Sequence, residues 1–257
     1  MRRGAKLGQH FLNAQWVARD LVKSVHLQPD EPVLEIGPGR GALTKELLAQ
    51  SARVVAIEKD TNLIPVLESA FKNELSSGML TIIEGDVRDF SPETLGTSYA
   101  IAANIPYYIT GEIIRHFLTA AKQPRAMALL IQKEVAERIV ARDGKESILS
   151  LSVKAYGTPS IVAKVPAGCF NPPPSVDSAI LLVKDISRDY FDTINEEDFF
   201  KVVRAGFSSK RKMLAGNLKP LFPNSQNMLK EAGVSEKVRA EDVRMGEWKK
   251  LVEKLAD

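Results

Sequence analysis

Cysteine is almost missing from this sequence: Cys169 is the single one in 257 residues. One thiol can form neither an internal disulfide nor a thiolate metal cluster, so a reducing compartment and a chain without metal are expected. Long hydrophobic runs are missing too. The longest, Ala126 to Ile131, is far shorter than the ~18 residues of a membrane helix, so no bilayer crossing is expected. At the N-terminus Arg2, Arg3 and Lys6 are followed at once by Gly8, Gln9 and His10, where a secretory signal would place its apolar segment. The expectation is a cytoplasmic protein. Charge of one sign is not in excess, since 35 Lys and Arg against 32 Asp and Glu leave only +3. The bulk charge therefore does not point to a polyanion. With 44% hydrophobic and 26% charged residues the chain is neither disordered nor fibrous, and its length suits one large domain with a smaller appendage.

What is there is an alternation. Pro32 to Ile36 is a short apolar run that stops at Gly-Pro-Gly, and Ala42 to Gln50 then carries helical spacing with Leu43, Leu47 and Leu48. Arg53 to Ile57 predicts a second strand, Leu63 to Leu75 a helix, Leu80 to Ile83 a third strand and Tyr99 to Ala103 a fourth. Ile113, Ile114, Phe117, Leu118 and Ala121 form one helical stripe. Strands alternating with helices predict an α/β fold with a parallel sheet covered on both faces. Ile161 to Val165 and Ala179 to Val183 flank a proline-laden loop with no helix between them and predict an antiparallel edge hairpin. Beyond about Asp185 strand signals cease. Asn195 reads as an N-cap ahead of Glu196, Glu197 and Asp198, with Phe199, Val202 and Val203 on one face, and Trp248, Leu251, Val252 and Leu255 repeat the helical spacing. The expected division is 1–187 for the sheet domain and 188–257 for a small all-helical one.

The chemistry sits at the ends of the predicted strands. Glu35 to Ala42 places Gly37 and Gly39 in a strand-to-helix turn, where a ligand meets the carboxyl ends of a parallel sheet and backbone can approach it closely. Glu58, at the end of the second strand, could accept hydrogen bonds from both hydroxyls of a ribose, which points to an adenosine-type cofactor of unspecified kind. Asp86 closes the third strand, and Asn104-Ile105-Pro106-Tyr107 closes the fourth. A nicotinamide enzyme has no need of that tetrapeptide. Methylating an exocyclic adenine amine does, because the nitrogen lone pair is delocalised into the ring. An Asn side-chain oxygen and a carbonyl of the Ile-Pro segment could take both N–H groups and free that lone pair for attack on a methyl sulfonium. Pro106 would stiffen the loop, and Tyr107 would offer a ring to a flipped base. Lys210-Arg211-Lys212, with Arg204 one or two helical turns earlier, reads either as a phosphate-binding patch or as a solvated helix end. Lys59 reads as a solvated strand end, and His26 and His116 as packing or surface residues.

Taken in order, Leu7 to Leu12, Glu35 to Thr44, Glu58, Gly85-Asp86, Asn104 to Tyr107, Phe170 to Ala179, Arg204 to Phe207, Lys210 to Leu214 and Val238 to Glu241 resemble the KsgA-type small-subunit ribosomal RNA adenine N6,N6-dimethyltransferases over nearly the whole chain. These belong to the S-adenosylmethionine-dependent class I methyltransferases, with a Rossmann-like sheet. The resemblance implies that Gln9, His10 and Leu12 help cover S-adenosylmethionine, that Glu35 is among the residues binding it, that Gly37 and Gly39 face its methionine part, and that Glu58 holds the ribose. Asp86, with Val87 beside it, would bind the adenine of the cofactor, and Asn104 would touch cofactor and target. Phe170 would pack on the target adenine opposite Tyr107. Arg204, Lys210, Arg211 and Lys212 would bind RNA, so the implied partner is a small ribosomal subunit precursor, met by a monomer.

Departures are few. The family's basic motif usually carries two arginines before the lysine, and here Lys210 stands first, which keeps the charge but loses one bidentate phosphate fork. Ile105 replaces a commoner leucine. Three other readings compete: a large-subunit RNA methyltransferase of the macrolide-resistance type, a non-catalytic RNA-binding assembly factor, and a nicotinamide oxidoreductase that uses the tetrapeptide as a mere turn.

Overall fold

The computed structural model describes residues 10–254 apart from 51 and 97. Its strands are β1 (Phe11–Leu12), β2 (Val33–Ile36), β3 (Val54–Glu58), β4 (Leu80–Glu84), β5 (Ala100–Asn104), β6 (Ala126–Gln132), β7 (Thr158–Val165), β8 (Phe170–Asn171) and β9 (Ser178–Lys184). Helices α1 (Gln15–Val25), α2 (Ala42–Ala49), α3 (Ile64–Ala70), α4 (Lys72–Ser76), α5 (Thr110–Thr119), α6 (Lys133–Val140) and α7 (Ile148–Lys154) lie among them. Helices α8 (Glu196–Gly206), α9 (Leu214–Leu218), α10 (Ser225–Glu231) and α11 (Met245–Glu253) follow.

The main sheet has seven strands in the order β4-β3-β2-β5-β6-β9-β7. The first five run parallel, and β9 is antiparallel to both β6 and β7. The apolar run Ala126 to Ile131 becomes strand β6, wholly buried because the sheet is covered on both faces. The hairpin of β7 and β9 forms at the sheet edge as expected, with β9 next to β6 and β7 outermost. The carboxyl ends of β2 to β5 thus point to one side, with the chain order reversing between β2 and β5, which is where α/β sheets bind ligands.

Among the departures from the sequence reading, two concern the elements around the strand ends. Helix α1, which buries Val17, Ala18, Leu21, Val22 and Val25, carries no capping side chain at Ala14 to announce its start. The helix expected over Leu63 to Leu75 is interrupted at Phe71 (φ −122°, ψ 36°). The Phe71 ring fills the place a side chain at position 41 would take: a Cβ on Gly41 (φ +83°) would lie 2.4 Å from Phe71 Cε2.

The chain divides into two compact units, Met1–Ala136 with Thr158–Ile186, and Glu137–Gly157 with Ser187–Asp257. The second division falls within a residue of the expected one, but segment 137–157 groups with the C-terminal helices rather than with the sheet. Long-range polar contacts hold it there. Lys145 pairs with Asp242 and, at 3.5 Å, with Glu241; Glu146 N–H donates to the Glu241 carbonyl at 2.7 Å; and the Tyr156 hydroxyl donates to Glu196 at 2.6 Å. Within this unit Asn195 caps α8 by accepting from Asp198 N–H at 3.1 Å, and Trp248 of α11 is fully buried. Its ring crosses α8 at Gly206, where an added Cβ would meet Trp248 Cη2 at 2.5 Å.

Candidate active site

The loops after β2, β3, β4 and β5, with His10, Phe11 and Leu12 over them, enclose one cleft with about 1190 Å³ of open space. It brings together residues expected at the site from five stretches of sequence: His10 and Leu12; Glu35, Gly37 and Gly39; Glu58; Asp86 and Val87; Asn104, Pro106 and Tyr107. Gln9 lies outside the described residues.

Glu58 is buried, and its two carboxylate oxygens accept from Gly39 N–H at 3.0 Å and Asp60 N–H at 2.8 Å. Each oxygen keeps a second lone pair, so two neighbouring hydroxyls can still be held. Gly37 (φ +66°) and Gly39 (φ +60°) turn the backbone through conformations that side chains rarely adopt. Phe11 packs on Gly39, where an added Cβ would be 3.2 Å from its ring, and the Arg40 guanidinium lies 4.7 Å from the same ring. Glu35 is buried in the floor with neither carboxyl oxygen hydrogen-bonded among the described residues. Burial pushes its pKa up to about 8; the nearby Thr44 hydroxyl and amide offset part of that, and the Glu58 charge adds to it. Burial therefore favours the protonated form of Glu35.

Asp86 is driven the other way. Arg88 donates to it through Nε at 2.9 Å, Nη2 at 2.5 Å and the backbone N–H at 3.1 Å, and Lys59 Nζ donates at 2.8 Å. The Arg88 hydrogen bonds, then those of Lys59, outweigh partial burial and hold the carboxyl well below the usual carboxylate range. Lys59 is exposed, as expected of a strand end, and is also half of an ion pair at the cleft. Arg88 was not singled out in the sequence and Lys59 was read only as surface charge, because a cation beside a strand-end acid is indistinguishable there from any solvated one.

At the end of β5 the Asn104 side-chain amide donates to the His10 carbonyl at 3.1 Å. A carbonyl only accepts, so the nitrogen must be the atom facing it, and Oδ1 is turned elsewhere with its lone pairs available. Ile105 is buried and anchored by its N–H on the Leu130 carbonyl at 3.3 Å; the Pro106 carbonyl accepts from Ile109 N–H at 3.2 Å. The Tyr107 hydroxyl is 2.6 Å from Ser178 Oγ, and burial pushes its pKa up. The His10 imidazole stacks on Tyr107 at 5.8 Å between centroids, steered by a 2.8 Å contact of Nδ1 with the Pro172 carbonyl.

A model of the family described as ribosomal RNA adenine dimethylase matches residues 2–257. The chain belongs to this family. Among its relatives, Ribosomal RNA small subunit methyltransferase A of Dehalococcoides mccartyi (strain CBDB1) is 42% identical over 252 residues, 95% of this chain and 86% of the relative. The protein of that name from Clostridium botulinum (strain Loch Maree / Type A3) is 36% identical over 259 residues, 98% of this chain and 93% of the relative. Of solved structures, a dimethyladenosine transferase from Plasmodium falciparum superposes with a TM-score of 0.79 at 26% identity, covering 96% of this chain and 98% of that one. The 23S rRNA methyltransferase ErmE does so equally, with a TM-score of 0.79 at 26% identity, covering 96% and 100%. The fold is that of Rossmann-like methyltransferases.

Two expectations about this dimethylase-family site need correction. Phe170 is not in the cleft: β8 pairs with β1 in the register Leu12↔Phe170, and the ring is 2% exposed inside the core. The aromatic facing Tyr107 is His10. The basic run is also not helical. Helix α8 ends at Gly206, and Lys210, Arg211 and Lys212 lie, exposed, in the loop before α9. Asn217 pins that loop by donating to the carbonyls of Gly206 at 2.6 Å and Ser209 at 2.9 Å. Arg204 is exposed on the last turn of α8.

Proposed function

We propose that this chain transfers methyl groups from S-adenosylmethionine to N6 of two adjacent adenines in the 3′-terminal hairpin loop of small-subunit ribosomal RNA, dimethylating each during subunit assembly. It acts as a cytoplasmic monomer on a small-subunit precursor. The observation that carries this reading is Asn104, whose amide nitrogen is committed to the His10 carbonyl so that Oδ1 is left as an acceptor. The small-subunit branch is favoured by the 42% and 36% identical relatives, both named for that subunit.

The cleft fits the cofactor on its own chemistry. Glu58 has spare lone pairs for two ribose hydroxyls, the glycine turn admits close approach of backbone, and the buried Glu35 carboxyl has acceptor capacity unspent. Asp86 is the acceptor for the cofactor's adenine amine, with Val87 beside it. Leu12, His10 and, from outside the described residues, Gln9 close over it. Bound S-adenosylmethionine supplies an electrophilic methyl on a positively charged sulfur. The protein's part is to prepare the nucleophile. Asn104 Oδ1 and the Ile105 carbonyl accept the two N–H groups of the target amine and hold its lone pair out of conjugation with the ring. Pro106 keeps the turn stiff, and Tyr107, fixed by Ser178, packs on the base. No general base is needed, because the alkylated nitrogen sheds its proton readily. Arg204, Lys210, Arg211 and Lys212 take RNA phosphates, which gives affinity without base identity.

The test is transfer from labelled S-adenosylmethionine to undermethylated small subunits, with large-subunit RNA in parallel and the modified base mapped. N6,N6-dimethyladenosine at two neighbouring small-subunit adenines is the expected result. Label only in large-subunit RNA moves the protein to the ErmE-like branch. Cofactor binding without label in either makes it an RNA-binding factor.

A further inference from the structure

Among the described residues Tyr108 is the most exposed of the large hydrophobic side chains, at 68%, and it lines the cleft. Among the described residues no ring packs against it and its hydroxyl has no hydrogen-bond partner, whereas its neighbour Tyr107 is half buried and bonded to Ser178. The backbone that presents it is not free. Tyr107–Ile109 is a single 3-10 turn closed by Ile109 N–H on the Pro106 carbonyl, and it leads directly into α5. Ile105, buried and tied to Leu130, anchors the turn from the other side. A rigid turn therefore holds two consecutive rings at the cleft, one turned in and one turned out.

We propose that Tyr108 is a stacking platform for the nucleobase next to the adenine being methylated. This rests on the RNA-directed reading above. A base drawn out of its stack toward Tyr107 leaves its chain neighbour with an open π-face at the mouth of the cleft. An exposed ring fixed one residue from Tyr107 offers that face a partner and needs no hydrogen-bond readout, so it accepts any base and favours purines by their larger surface. The geometry suits a substrate of adjacent adenines: while one is inside, the other occupies the platform.

The experiment compares methyl transfer to undermethylated small subunits by the wild type, Tyr108→Ala, Tyr108→Phe and Tyr108→Trp, with S-adenosylmethionine affinity measured calorimetrically for each. The expected result is a KM for subunits raised about tenfold or more in Tyr108→Ala, with kcat and cofactor affinity within about twofold of wild type, and recovery in Tyr108→Phe and Tyr108→Trp. An unchanged KM in Tyr108→Ala, or failure of Tyr108→Phe to recover, overturns the platform. Loss of cofactor affinity in Tyr108→Ala also overturns it, because the ring then supports the cleft rather than the RNA. If the wild type itself transfers no methyl to small subunits, the functional reading falls and the platform with it, an outcome separate from failure of the variants alone.

Discussion

Glu35 and Asp86 share one cleft and are driven in opposite directions, which makes each a separate test of the site. Glu35 is pushed up to about 8 by burial, so the folded chain holds a proton that the unfolded chain, with its ordinary carboxylate at 4.5, releases. Its contribution to stability is complete below the unfolded value and is lost as pH rises toward 8. Glu35→Gln should remove that loss: melting curves from about pH 5 to about pH 9 should fall more steeply for the wild type, with the gap at the alkaline end on the order of a few kcal/mol. Parallel curves for the two proteins would place the carboxyl in contact with solvent. Asp86, with its lowered pKa, has the reverse sign and weakens the fold only in acid. Asn104 is a kinetic rather than a stability residue. Asn104→Ala should cut the first methyl transfer about a hundredfold or more, the scale of losing one acceptor or donor aimed at a transition state, as read by single-turnover assay. Near-normal turnover would refute the lone-pair mechanism.

At the scale of elements, the glycine turn does more than make room for a ligand. Gly41 begins α2 in the left-handed region, and the Phe71 ring, at the break between α3 and α4, sits where its Cβ would be. Gly41→Ala should therefore cost about 1–3 kcal/mol, from backbone strain and overpacking together. Thermal unfolding should show it as a fall of several degrees, with Gly111→Ala, whose added Cβ meets nothing within 4 Å, close to wild type. Equal stability of the two variants would mean that Phe71 yields freely. The same break explains why 63–75 reads as one helix in sequence: the apolar spacing continues through Phe71, and only the ring's partner on another element reveals the interruption.

At the scale of the whole molecule, charge is nearly balanced, so RNA affinity must come from a local patch. Lys210, Arg211 and Lys212 are exposed on one short loop of the C-terminal unit. Replacing all three by alanine should weaken binding to small-subunit RNA and lower the slope of log K against log salt by roughly 2–3, the release expected for three phosphate contacts. S-adenosylmethionine affinity should be unaffected, since the cleft lies wholly in the other unit. Filter binding across a salt series, with cofactor calorimetry as control, decides it; an unchanged slope would move the RNA surface elsewhere.

The alternating apolar runs, the glycine turn, Glu58, Asp86 and the Asn104 to Tyr107 tetrapeptide were legible in sequence because each depends on local spacing or on its place at the end of a strand. Parallel strands share a direction, so naming the strand ends was enough to predict that those residues meet. What sequence could not decide depends on contacts between distant segments. Lys59 became a site residue only through a carboxylate on the next strand end, and Phe170 was withdrawn from the cleft by pairing of β8 with β1. Segment 137–157 joined the C-terminal helices through Lys145 and Tyr156, partners 40 to 97 positions away in the chain. Asn104 shows both at once: its identity announces an acceptor, but which of its two polar atoms is free was settled by a backbone carbonyl 94 residues away. Local periodicity and strand direction are written in the chain; side-chain direction and hydrogen-bond partnership are decided by what the fold places opposite.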